Sequence, residues 1–248
     1  MKKQYSLLLL VLGILLFFSA NAQNDSLQKL RAETDSIVVQ HPGLDHKYLE
    51  DQFYVGLTFN LLDKMSKGIN QSGFSGGVNL GYIRDIPLNK RRNFGLGIGV
   101  GWSMNSYRTN LLISKDEAGN SIFQTLNRND FDYNVNRFST YLVEMPLQIR
   151  WRTSTADSYK FWRVYGGLRL GYMYYFHSKF KQPGKKINQT KVDGLERLRY
   201  GLTFTFGYNT FNFSLYYSLN PFFKDVSTLD GKPVELTTFK VGLEFYIL

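Results

Sequence analysis

The sequence predicts an all-β chain: an eight-stranded antiparallel up-and-down barrel that crosses a bacterial outer membrane, preceded by a short periplasmic N-terminal extension. Three observations predict it. Eight segments after residue 51 alternate strictly between apolar and small or polar residues, long and short connections alternate between them, and no later run of 18 apolar residues could cross as a helix. Successive strand residues point to opposite faces, so this pattern sets one face against an apolar medium and the other against something polar.

The leader comes first. Lys2 and Lys3, the apolar run from Leu7 to Phe18 and the small-x-small triplet Ala20-Asn21-Ala22 before Gln23 form the three parts of a secretory signal peptide, residues 1–22. A spanning helix needs about 20 apolar residues, more than this run supplies. The chain has no cysteine, so Gln23 cannot be a lipid-anchored residue, and disulfides, thiol nucleophiles and thiolate metal sites are excluded. Residues 23–51 are polar, with Leu27, Leu30, Ile37 and Val38 at loosely helical spacing before Pro42-Gly43. They read as a periplasmic extension, either one short helix or a disordered lead-in to the barrel of residues 52–248.

The third segment shows the alternation most clearly. Phe94, Leu96, Ile98, Val100, Trp102 and Met104 share one face, and Gly95, Gly97, Gly99 and Gly101 share the other. A soluble sandwich would also bury the large face, but four small residues in a row on the second face suit a tightly curved wall around a narrow lumen. The remaining strands put outward Phe53 to Leu61, Phe74 to Tyr82, Tyr141 to Trp151, Val164 to Tyr174, Leu198 to Phe206, Phe211 to Leu219 and Phe239 to Ile247, each at every second residue. Eight is the smallest even number of strands that closes a membrane barrel.

Connections after the odd strands are long, at 62–73, 105–137, 177–197 and 220–235, and those after the even strands are short, near 84–93, 152–161 and 208–210. Long external loops over short periplasmic turns are the habit of outer-membrane barrels, which sets the orientation. Trp102, Tyr107, Trp151, Trp162, Tyr174, Tyr175 and Phe176 cluster at strand ends and read as the two interfacial girdles. Within the second long loop, Lys115-Asp116-Glu117-Ala118-Gly119 is a turn flanked by Tyr107 to Ile113 and Ser121 to Leu126, which predicts a hairpin protruding above the membrane.

The fourth strand reads YLVEMPLQIRW (Tyr141 to Trp151), the fifth VYGGLRLGYM (Val164 to Met173) and the seventh FSLYYSL (Phe213 to Leu219). In these segments the chain resembles the PorT-like outer-membrane barrels of Bacteroidota, and the resemblance covers most of the chain after Asp51. It implies an integral outer-membrane protein and, because some members serve the type IX protein secretion system, secretion-system subunits as partners. It implies no catalytic residue. The last strand also resembles the signal read by barrel-assembly machinery: Lys240, Gly242, Phe245 and Ile247 fit a polar-x-Gly-x-x-apolar-x-apolar pattern, although the chain ends at Leu248 and not at an aromatic residue.

Inward-facing charges are the most telling polar residues, since unpaired charge in a narrow lumen is costly. Glu144 and Arg169 lie equally far from the middle of their connection, near residue 156, which places them opposite each other. Arg199, Lys240 and Glu244 also point inward by period, so a lumen ion network is expected that either plugs the barrel or filters small solutes. Eight strands leave little channel, which favours the plug. Pro146 contradicts a regular strand and suggests a bulge that re-aims Glu144, or else one tolerated missing hydrogen bond.

Other chemistry has little support. His41 and His46 lie in the extension and His177 stands alone beside Ser178, so no protease or acyltransferase constellation forms. The formal charge is +10, but the basic residues are split between loops and turns such as Lys90-Arg91-Arg92, which argues against nucleic acid. The third long loop carries Lys179, Lys181, Lys185, Lys186, Lys191 and Arg197 against Asp193 and Glu196, a candidate contact for lipid phosphates. The acceptor-like Asn188-Gln189-Thr190 carries no weight in a bacterial loop. The sequence therefore predicts a non-enzymatic barrel, free of cofactor and metal, whose partners are outer-membrane lipid and lipopolysaccharide, the assembly machinery and subunits of an envelope machine. A minimal ion or small-solute channel is the alternative, and a lipid-modifying or proteolytic barrel the third.

Overall fold

The computed structural model describes residues 51–89, 91–127, 132–153 and 161–247. The leader, the extension up to residue 50, His41, His46, Lys90, the middle of the connection near residue 156 and Leu248 lie outside the described residues. Eleven strands follow in order: β1 (Asp51–Asp63), β2 (Gly76–Pro87), β3 (Phe94–Arg108), β4 (Leu111–Lys115), β5 (Ser121–Thr125), β6 (Val135–Arg152), β7 (Trp162–Gln182), β8 (Lys185–Gln189), β9 (Leu198–Tyr208), β10 (Phe211–Ser218) and β11 (Thr237–Ile247). Eight of them close a ring in the order β6-β3-β2-β1-β11-β10-β9-β7, with β7 pairing back to β6 and every pairing antiparallel. The predicted eight-stranded barrel is thus the observed one.

The outer face is a band of exposed Phe, Leu, Val, Ile, Met and aromatic residues, including Phe53, Leu57, Leu80, Val100, Val143, Ile149, Leu168, Leu202 and Phe213. In water so continuous an apolar surface would be unstable; in a bilayer it is the solvated face. The glycines of β3 explain how the inner face is filled. A Cβ on Gly97 would stand 2.6 Å from Nε of Arg150, and one on Gly95 would stand 2.5 Å from Oδ1 of Asp85. The missing side chains are the space into which large lumen residues fold. Gly97→Ala is therefore expected to destabilise the barrel by about 1–3 kcal/mol through overpacking, read as a lower denaturation midpoint.

Beyond the aromatic girdle at the long-loop end the polarity of the wall inverts. On β3 Met104 is the last outward apolar residue; Ser106 and Arg108 face out while Tyr107 is buried. On β6 Arg137 faces out and Phe138 is buried. β7 makes the same change by a bulge: Tyr141 pairs with Tyr175 but Leu142 with Met173, so Tyr174 is extra, both tyrosines face out, and Phe176 and Phe180 turn inward. Tyr107 and Phe176 accordingly belong to an interior cluster and not to a girdle. Trp102, Tyr174 and Tyr175 keep that role and Tyr141 joins them, with Trp102 Nε1 donating to the Tyr174 hydroxyl at 2.7 Å.

The bulge lies here and not at Pro146. Ile98 pairs with Leu147 and Gly101 with Glu144 in one unbroken register, with the two intervening pairs left open. Pro146 removes a donor without shifting the strand. At the short-turn end β9 and β10 are joined by Asn209-Thr210, with Asn209 at φ 55°, a conformation asparagine tolerates better than most residues.

All four long connections contribute to one apolar cluster over the barrel mouth. Ile69, Tyr107, Leu111, Ile113, Phe123, Phe138, Phe176, Phe222, Phe223, Val234 and Leu236 pack together, with Phe138 in ring contact with Tyr107, Phe176 and Phe222. The hairpin β4–β5 exists as expected, turning through Gly119 at φ 88°, but it does not protrude freely. It folds down on the mouth, its Phe123 carbonyl accepting from the Leu229 amide at 2.9 Å. Its apolar residues explain why: Leu111, Ile113 and Phe123 are each almost wholly buried.

Candidate functional site

Three constellations of charge stand at different heights of the barrel, two in the lumen and one on the outer wall. The middle one contains the predicted lumen residues. Arg169 on β7 reaches Glu144 on β6 (Nη1 to Oε2, 3.5 Å) and Glu244 on β11 (Nη2 to Oε2, 3.5 Å), so one guanidinium bridges two carboxylates from different strands. Glu144 is not directly opposite Arg169, as symmetry about residue 156 required. It pairs with Gly171, and Arg169 pairs with Pro146, because the connection is centred one residue later; the ion pair forms along the diagonal. Ser103 donates to Glu144 at 2.9 Å, and the Tyr246 hydroxyl to Glu244 at 2.6 Å.

Lys240 and Arg199 stand outside that triad. Lys240 lies with its ammonium 4.8 Å from the centre of the Tyr216 ring. Arg199 sits higher, stacked 4.3 Å from the Phe222 ring, and donates to Ser218 Oγ at 2.7 Å and to the carbonyls of Asn220 and Pro221. Its partners anchor the fourth long connection to the wall. A cavity beside the triad, lined by Asn79, Asn105, Arg169, Lys240 and Glu244 among others, measures about 20 Å³. Such a volume holds about one water.

A second constellation, at the short-turn end, was not anticipated. Asp85 on β2 forms an ion pair with Arg150 (3.4 Å) and accepts from Arg152, both on β6, and all three side chains are buried. Arg163 on β7 lies beside them, its Nε and Nη1 without a hydrogen-bond partner among the described residues, 4.6 Å over the Phe161 ring. Arg150 also stacks over Tyr165 and Tyr246 at 4.5 and 5.5 Å and takes Gln148 and Gln52 as acceptors. The signal was present: Arg150 and Arg152 flank outward Trp151, so both must point inward. The outward alternation of the second segment stops at Tyr82, which places Asp85 in a turn, whereas β2 runs on to Pro87 and carries Asp85 inward.

The third constellation lies on the outer wall at the long-loop end. Lys179 and Lys181 lie on β7 and face outward, and Lys186 pairs with Lys181 and shares its face, while Lys185 pairs with Gln182 on the other face. Of the four lysines proposed to contact lipid phosphate, three thus form one surface. His177 also faces outward, stacked on Tyr175 at 6.4 Å, whereas Ser178 is buried on the opposite face, so the pair cannot act together. Of the assembly-signal residues, Phe245 and Ile247 lie on the membrane face, Phe245 against Phe211 at 5.2 Å; Lys240 and Gly242 face the lumen, with no room for a Cβ on Gly242 beside the Leu57 carbonyl.

The loops are tied by Asp193. Its carboxylate accepts from the Ser121 amide at 2.8 Å, and its own amide donates to Ser121 Oγ at 2.9 Å, joining the third long connection to the hairpin. These bonds from Ser121 hold the Asp193 carboxyl below its ordinary range; the Asn120 side chain and amide do the same for Asp116 in the hairpin turn. Both groups bind their protons more weakly folded than unfolded, so their contribution is full above the unfolded value of about 4 and fades as pH falls below it. Hydrogen exchange at the Ser121 amide is expected to rise, relative to the intrinsic rate, on acidification through that range, and Asp193→Asn is expected to abolish the change.

Residues 21–224 match the family described as outer membrane protein beta-barrel domain. Among solved structures, the attachment invasion locus protein Ail of Yersinia pestis in complex with the heparin analogue sucrose octasulfate aligns at a TM-score of 0.33 with 18% identity, covering 80% of this chain and 98% of that one. Ail in a structure described without that ligand aligns at 0.32 with 15% identity and the same coverage. No curated protein matches the chain. With more than four fifths of its length matched, and a closed barrel whose outer face is apolar, the chain belongs to the outer membrane β-barrel domain family and is a protein of the outer membrane.

Proposed function

We propose that this barrel is a non-enzymatic scaffold or accessory component of an envelope machine, the type IX secretion system being the machine its PorT-like strands point to. It would be delivered by a signal peptide cleaved near Ala22 and folded by the barrel-assembly machinery that reads its last strand. The observation that carries the reading is the filled interior. From Tyr246 and Arg150 at one end, through the Arg169 triad, to the Phe138–Phe222 cluster at the other, side chains occupy the axis and leave the loop surface and short-turn end for contacts.

The test is deletion of the gene followed by assay of type IX cargo at the cell surface, with cross-linking of the intact barrel to its neighbours in gentle detergent. Loss of surface cargo and cross-links to secretion subunits are expected. Normal secretion, a barrel that emerges alone and stepwise conductance in planar bilayers would overturn the reading in favour of a channel. A changed lipid A profile in the deletion strain would favour an enzyme.

A further inference from the structure

The register of the wall aligns cations that the sequence separates. Arg108 on β3 pairs with Arg137 on β6, and Arg137 pairs with Lys179 on β7, so three positive side chains from three adjacent strands form one outward row. Arg108 is exposed and the other two are half-buried. None takes part in an ion pair among the described residues. The neighbouring rows add no acid: Ser106, Ser139 and His177 lie below, and Val135, Lys181 and Lys186 above.

The height of the row is set by the membrane. Arg108 stands four residues above Met104, the last outward apolar residue of β3, which is roughly 10 Å along the normal for a strand of about 3.3 Å rise and 40° tilt. The girdle of Trp102, Tyr141 and Tyr174 lies below. The cations therefore stand at headgroup level, where a fixed positive charge meets lipid phosphate.

Directly under the row the apolar wall is dented. Gly76 and Ser106 pair across β2 and β3 and leave the floor of a groove of about 540 Å³, with Phe74 and Met104 along its sides and Arg108 and Arg137 at its upper edge. The Phe74 ring lies over Gly76, where a Cβ would stand 2.8 Å from it. Apolar groove below and paired guanidiniums above match a ligand that is acylated below and phosphorylated above.

We infer that this groove and its cationic row bind lipopolysaccharide of the outer leaflet, an acyl chain of lipid A lying over Ser106 between the Phe74 ring and Met104 and a lipid A phosphate held by Arg108 and Arg137, with Lys179 beside them. Because the inference rests on the outer wall alone, it stands or falls independently of the proposed role in secretion.

The test is lipid binding by the purified full chain in detergent, followed by native mass spectrometry, with bisphosphorylated lipid A, the same lipid A enzymatically dephosphorylated, and inorganic phosphate as probes. The pair Arg108→Glu and Arg137→Glu is expected to weaken bisphosphorylated lipid A about tenfold or more, the loss of charge-assisted contacts. Ser106→Trp, which fills the groove and keeps every charge, is expected to weaken it as well. Lys185→Glu, on the opposite face of β8, is expected to leave it unchanged. Gel mobility of unheated samples verifies that each variant is folded. Equal binding by wild type and the double glutamate variant, equal binding of dephosphorylated lipid A, or full competition by inorganic phosphate would each overturn the inference.

Discussion

Asp85→Asn is expected to destabilise the barrel by about 3–5 kcal/mol, because it removes the carboxylate from a buried group of three arginines. Asp85 and Arg150 are wholly inaccessible, and Arg152 nearly so. Without Asp85 the nearest acceptors among the described residues are amide and carbonyl oxygens: Gln52 and Gln148 for Arg150, and the Arg92 carbonyl for Arg152. Such dipoles, with the faces of Tyr165, Tyr246 and Phe161, help to hold guanidinium groups but do not neutralise them. Denaturant unfolding of the refolded barrel in micelles reads the effect as a lower midpoint. The exposed pair of Arg84 and Asp51, at 3.6 Å, is the control: Asp51→Asn is expected to change stability by less than about 1 kcal/mol. A second substitution, Arg152→Met, should recover part of the Asp85→Asn loss, since it removes a surplus buried charge. Similar shifts for Asp85→Asn and Asp51→Asn would show that water reaches the cluster.

The barrel itself was legible because the bilayer imposes a period of two that nothing in loops imitates. Phe94 to Met104 against Gly95 to Gly101 is readable without a structure, and so is the alternation of long and short connections. Legibility stopped where the strands leave the membrane. Phe138 and Phe176 are as apolar as Val143 or Leu168, but they lie on wall that continues upward with its polarity reversed, so aromatic character alone made Tyr107 and Phe176 look like girdle residues. Loop residues such as Leu111, Ile113, Phe123, Phe222 and Phe223 carry no period, and only their packing shows that they close the mouth. The bulge was misplaced for a related reason. Proline announces a defect in composition, whereas the run Tyr172 to Phe176 hides a change of face within consecutive large residues. Site residues were readable by parity but their partners were not, because parity fixes the face and leaves the register free: Glu144, Arg169 and Glu244 meet, while Arg199 and Lys240 find an aromatic face each.

Replacing Arg169 by Met is expected to have an effect of the same order, about 3–5 kcal/mol, and it separates the two readings of the lumen. Arg169 is the bridge between Glu144 and Glu244; without it two buried carboxylates from opposite sides of the barrel face each other, with Lys240 the nearest other cation among the residues lining their cavity. The retained donors, Ser103 to one oxygen of Glu144 and Tyr246 and Asn79 to the two oxygens of Glu244, cancel no charge. The triple variant Glu144→Gln, Arg169→Met, Glu244→Gln should recover much of the loss, since a neutral, well-packed replacement for a buried ion group is often no worse than the group itself. A plug therefore predicts a large drop in denaturation midpoint for the single variant, recovery in the triple variant, and the same negligible conductance for wild type, single and triple variants in planar bilayers. A filter predicts the reverse emphasis: measurable wild-type conductance, ion selectivity that changes when Glu144 or Arg169 is neutralised, and no electrical recovery in the triple variant even where stability returns. With room for about one water beside the triad, the expected outcome is the first.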